Sequence, residues 1–152
     1  MDKRGRIMFA YVSSDVNETL GEPANYLLMD KESKSIDFSC ILGLGVDLDL
    51  NFHTKSFIYH ADGKQKIDFI DDEITELNVE NTSKVFISEN NASFIITERF
   101  RNVTFDKSGL YQIKIYLYGG MLEDKNSIDE IIDEKDVCFY VEEFREEYSY
   151  DE

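Results

Sequence analysis

The chain has 152 residues, with 11 Phe and 9 Tyr but no Trp, one Pro, two Cys and a net charge of −16. At this length one folding unit buries about 70% of the surface its unfolded chain exposes, so a core forms without disulfide or metal staples. The acid excess, far beyond the ~2 to 8 charges usual for a small domain, argues against direct contact with nucleic acid or an anionic membrane and favours a basic partner.

The dominant period along the chain is two, and its Ile, Val, Phe and Tyr suit pleated, half-buried surfaces. Residues 6–12 read as a first strand, whose apolar run is too short for a signal-peptide core and gives way to Ser13-Ser14-Asp15. Glu22-Pro23-Ala24-Asn25 is a turn before the short apolar segment Tyr26–Met29, and Lys31-Glu32-Ser33-Lys34 is a solvated loop. The pattern over 36–52 is extended, with Gly43 and Gly45 as expected bulge or bend positions. Residues 56–61 and 65–70 flank Asp62-Gly63, a hairpin signal because glycine supplies the positive φ of the turn. Further strands are predicted at 85–88, 93–105, 110–118 and 137–144. Between the last two, Ile128, Ile131 and Ile132 form a helical stripe and Ser127 with Glu130 matches a capping box, which predicts about two turns of helix over 127–134. Nothing repeats at a fixed period. The expected organisation is one domain over 1–145 with an acidic tail at 146–152.

Cys40 and Cys138 both lie among apolar neighbours in predicted strands, where a reduced thiol behaves as a small buried hydrophobe. No apolar run approaches the ~20 residues of a membrane span. Both features point to the cytoplasm, and the sequons at Asn17, Asn81, Asn91 and Asn102 are then chance matches.

Val46-Asp47-Leu48-Asp49-Leu50-Asn51-Phe52-His53 places two carboxylates, an amide and an imidazole at alternate positions. A calcium loop of the EF-hand type needs Gly at its sixth position and a carboxylate at its twelfth, which here are Phe52 and Ile58. Same-face strand neighbours stand ~6.6 to 7 Å apart, whereas calcium ligands sit ~2.4 Å from the ion. The expectation is a solvated strand face, with no metal. His53 and His60 fall on different predicted strands outside any nucleophile signature and are expected to be solvated. Gly119-Gly120 lacks the lysine and the strand-to-helix setting of a phosphate loop, and Asp71, Asp72 and Glu73 read as loop acids. No catalytic residue and no cofactor is expected.

Asp106-Lys107-Ser108-Gly109-Leu110-Tyr111-Gln112-Ile113 resembles the tyrosine corner of immunoglobulin-like sandwiches, in which an acid, a small residue and a tyrosine open a late core strand. The resemblance implies an antiparallel sandwich in which the Tyr111 hydroxyl satisfies a backbone group at the preceding corner and Tyr111, Ile113, Ile115 and Leu117 point inward. Ile113 stands where antibody domains place their second cysteine, and no tryptophan is present for the core. The resemblance bears on architecture alone, since this fold carries many unrelated activities.

The expected fold class is therefore all-β, an antiparallel immunoglobulin-like β-sandwich with one short helix in a late connection. The expected role is a non-enzymatic acidic module that binds a protein with a basic surface. The expected contact residues are Asp129, Glu130, Asp133, Glu134, Glu142, Glu143, Glu146 and Glu147, where interleaved tyrosines add contact area while the acids steer encounter. A sharper form is a nucleic-acid mimic that occupies the cationic channel of a nucleic-acid-handling protein. In size and charge the chain resembles the small acidic inhibitors of phages and mobile elements. The alternative is a cytoplasmic sandwich that binds a metal or small ligand in a concave pocket.

Overall fold

Alternation of apolar and polar residues becomes two packed sheets in the computed structural model, which describes residues 4–14, 21–47, 52–67, 82–87, 91–119 and 130–143. The strands are β1 (Gly5–Ser13), β2 (Tyr26–Met29), β3 (Ser35–Asp47), β4 (Phe52–His60), β5 (Lys66–Ile67), β6 (Thr82–Ile87), β7 (Asn91–Thr104), β8 (Gly109–Gly119) and β9 (Glu130–Glu143). One sheet has the order β1-β3-β7-β6 and the other β2-β9-β8-β4-β5. Every pairing is antiparallel except that of β2 with β9. The architecture is an all-β sandwich, and among the described residues no helix is long and apolar enough to cross a membrane.

Each central strand presents every second side chain to the other sheet, as a pleat requires. In β3 these are Phe38, Cys40, Leu42, Leu44 and Val46, and in β8 Tyr111, Ile113, Ile115 and Leu117, all within 3% of full burial. Phe38 is the hub of one end of the core, with ring centroids 4.9 Å from Phe100, 5.5 Å from Phe139 and 6.3 Å from Phe105. Phe105 meets Tyr111 edge-on at 4.7 Å, a favoured aromatic geometry.

Tyr111 anchors this end. Its hydroxyl lies 2.6 Å from the Lys107 carbonyl oxygen and 3.1 Å from Asp106 Oδ1, so one buried O–H is shared between two acceptors at the corner that leads into β8. Burial, reinforced by the Asp106 hydrogen bond and charge, pushes the phenol up to about 12. The hairpin at Asp62-Gly63 also forms. Gly63 takes φ +71°, and Asp62 Oδ1 accepts the backbone N–H groups of Lys64 and Gln65 at 2.8 and 3.2 Å. Those two bonds hold the Asp62 carboxyl below the usual carboxylate range.

Four expectations change. The predicted helix is strand from Glu130 onward, because β9 pairs with β8 along its whole length and buries Ile132 while Ile131 is 51% exposed. A ladder with an existing core strand outweighs a short local helical stripe, whose isolated stability is marginal; residues 127–129 lie outside the described residues. The extended run over 36–52 is two strands, β3 ending at Asp47 in one sheet and β4 beginning at Phe52 in the other. Asp47 and His53 therefore share no strand face, and Asp49 and Asn51 lie outside the described residues.

The irregularity expected at Gly43 or Gly45 sits on the partner strand, between Ile7 and Phe9 of β1. Gly43 answers it by lacking a Cβ, since the Phe9 ring lies where that atom would stand. Finally, Cys138 faces solvent; only Cys40 is a buried thiol.

Replacing Tyr111 with Phe should cost about 1–2 kcal/mol, the worth of a buried hydroxyl's hydrogen bonds. The linkage sign follows from a folded pKa above the unfolded value: the contribution is complete below pH 10 and is lost as pH rises through about 12. Urea denaturation midpoints of the natural chain should fall between pH 10 and 12, and Tyr111→Phe should flatten this part of the profile.

Candidate interaction face

Register assigns the outward side chains of the five-stranded sheet to rows that cross it. Tyr26 of β2 pairs with Tyr140 of β9, and Tyr140 with Leu110 of β8, so three side chains 56%, 42% and 50% exposed stand abreast. Leu28, 46% exposed, follows two residues on and pairs with Glu142. Together these side chains form one exposed, largely apolar group across three strands. Along β9 the exposed side chains of Glu134, Asp136 and Glu142 line the same outward face, interrupted by Cys138 and Tyr140.

The other half of the face is aromatic and cationic. Lys114 lies 5.2 Å from the Tyr59 ring centroid, Lys66 4.6 Å from that of Phe57 and Lys55 5.3 Å from that of Tyr118. Tyr116 lies between, with its ring 5.9 Å from Phe57 and 6.0 Å from Tyr118. Such contacts hold the lysine stems flat over the rings and keep their ammonium groups at the surface.

The eight expected contact acids separate. Glu134 and Glu142 are exposed on the outward face. Glu130 instead pairs with Arg4 at 2.7 Å, and Asp133 Oδ2 accepts the Ile7 N–H at 2.8 Å, so these two tie β9 to β1 of the opposite sheet. Glu143 is half-buried, its N–H donating to Ser108 Oγ at 3.0 Å. Asp129, Glu146 and Glu147 lie outside the described residues. Tyr26, Leu28, Leu110, Asp136 and Tyr140 stand on the same outward face outside the expected set, and the alternation of Tyr26 with Leu28 and of Asp136 with Cys138 and Tyr140 is the pattern that places them there.

Neither histidine is a solvated strand residue. His53 is 3% exposed and stacks on Tyr118 at 5.1 Å, while His60 is half-buried against the Tyr111 ring at 4.9 Å with Nε2 3.4 Å from Asp106 Oδ1. Polar groups also meet inside the sandwich. Glu98 of β7, 4% exposed, accepts hydrogen bonds from Thr54 Oγ1 at 3.0 Å and Ser56 Oγ at 2.5 Å across the sheet interface. Cys40 pairs with Glu98 across β3 and β7, and burial, then the Glu98 charge, push its thiol well above the ordinary range. A thiol so held is a poor nucleophile.

Among the described residues no three His, Cys, Asp or Glu side chains converge to hold a metal ion. A cleft beside β2 is lined by Ser14, Ala24, Tyr26, Leu27, Leu28, Ile36 and Asp37, and Asp37 Oδ1 there already accepts the Asn102 N–H at 2.7 Å. No protein-family model matches the sequence, and no curated protein matches it.

Thiol titration should separate the two cysteines. In the native chain Cys138 should react with a disulfide reagent and Cys40 should not, both reacting in denaturant. Cys138→Ser should leave no fast-reacting thiol, as read by absorbance of the released thiolate.

Proposed function

We propose that the chain is a non-enzymatic, immunoglobulin-like interaction module whose acidic, tyrosine-bearing half-face on β9 and β2 receives a basic, partly apolar protein surface. The observation that carries this reading is the row Tyr26, Tyr140 and Leu110, exposed abreast and flanked along β9 by Asp136 and Glu142. Apolar and aromatic side chains at the centre supply desolvation energy, and carboxylates around them steer and orient a cationic partner.

Strand order supports the finer fold reading. In an immunoglobulin sandwich the strands A-B-E-D form one sheet and C, F and G the other. The order β1-β3-β7-β6 corresponds to the first, and β9-β8-β4 to G-F-C of the second. Tyr111 stands at the start of the F equivalent with its hydroxyl bonded at the preceding corner, and Cys40 lies on the B equivalent with Ile113 on F.

Strand spacing bears on the partner. Alternate carboxylates along a strand stand ~6.6 to 7 Å apart, and Glu134 with Asp136 keep that step before Cys138 and Tyr140 break it. A mixed surface of this kind suits a groove that is basic at its margin and apolar within. Inhibition of a nucleic-acid-handling protein is the corresponding biological role we propose. Its binding would weaken steeply with salt and compete with nucleic acid.

Panning a displayed random-peptide library on the full chain tests the reading without a known partner. Enriched peptides should alternate Lys or Arg with apolar residues, and Tyr140→Ala or Glu142→Lys should weaken the best of them at least about tenfold. Enrichment without basic residues, or binding indifferent to both substitutions, would refute it.

A further inference from the structure

The lysine and aromatic half of the same sheet is itself a basic, partly apolar surface, and we infer that a second copy of this chain occupies the face. The inference rests on the reading above that this face is the contact surface, and it names one partner for it. The chain carries −16 overall, yet Glu134, Asp136 and Glu142 on this face are matched by Lys55, Lys66 and Lys114. A copy that is repelled elsewhere meets balanced charge here.

The two signs are also separated in a way that closes on itself. Acids lie on β9, and lysines on β8, β4 and β5. A two-fold axis lying in the interface, along the strands and between β8 and β9, sets each copy's β9 over the other's β8 and preserves the rows. Because Lys114 and Asp136 share a row, as do Leu110 and Tyr140, each lysine then meets the other copy's aspartate and each leucine the other copy's tyrosine. The arrangement is isologous, as a closed dimer requires. Two sheets packed face to face with nearly aligned strands are a standard layer geometry.

With the axis between β8 and β9, these two strands over the length of β8 give an overlap on the order of 350 Å², to which β2 and β4 add only at its margins; this is the size of a weak, concentration-dependent pair. At physiological ionic strength charges beyond ~8 Å are screened, which weakens the global repulsion more than the paired contacts inside. The pair covers Tyr140 and Glu142, so a basic partner and the second copy compete for one site.

Sedimentation equilibrium at ~150 mM salt tests this with Lys114→Glu and Asp136→Lys, both on the outward face and checked for unchanged circular dichroism. The natural chain should dimerise, and each substitution alone should weaken the dimer at least about tenfold by placing like charges together twice. Mixing the two variants should restore a one-to-one heterodimer, because both contacts again join opposite charges. A natural chain that stays monomeric, single variants that dimerise normally, or a mixture that stays monomeric would each overturn the inference. Peptide enrichment on a monomeric chain would leave the proposed function standing and remove only the self-association.

Discussion

Pairing of β9 with β8 in a single register decides what the five-stranded sheet shows to water. Slipping that ladder by one residue would carry Phe139 and Val141 outward and bring Tyr140 and Glu142 into the core, so the burial of the first pair enforces the exposure of the second. The register shift between Leu117 and Tyr118 does further work at the far end. It lets Ile132 stay inside while Ile131 and Tyr118 both face out. The acidic half of the candidate face follows from this one alignment, and the lysine half from the ladders of β4 with β8 and β5.

Acidic residues of the late chain serve two purposes that charge counting merges. Glu130 and Asp133 reach β1 through Arg4 and the Ile7 N–H, closing the side of the sandwich where β1 and β9 run together. Glu134, Asp136 and Glu142 leave the sheet on the other side. The exposed Arg4–Glu130 pair contributes little by itself, since surface ion pairs are screened and conformationally costly. It joins the start of β9 to the segment that enters β1 of the other sheet.

Inside the sandwich, groups with chemical potential are held inert. Glu98 is satisfied by hydroxyls from the opposite sheet, and the Cys40 thiol beside it is kept protonated by burial and by that carboxylate. The core is thus aromatic at the Phe38 and Tyr111 end and carries a polar seam at Glu98, Thr54 and Ser56. Hydrogen bonds across the seam fix how the two sheets sit on each other in a way that apolar contact alone would not.

Alternation alone made most strands of the central core legible, because a half-buried pleat imposes period two on any sequence that occupies it; the inward set Tyr111, Ile113, Ile115 and Leu117 was implied by the sandwich resemblance, and all four are buried. The hairpin at Asp62-Gly63 was equally legible, being set by local turn chemistry. Tertiary structure decided the rest. Residues 127–134 carry a helical stripe, yet from Glu130 onward an adjacent core strand offered backbone partners and a buried site for Ile132. Val46 to His53 alternates as one strand would, yet its two ends belong to different sheets. Where Tyr26, Tyr140 and Leu110 stand abreast depends on pairing between segments more than 80 residues apart in the case of Tyr26. No local pattern encodes such a row, since it exists only when non-neighbouring strands share a register.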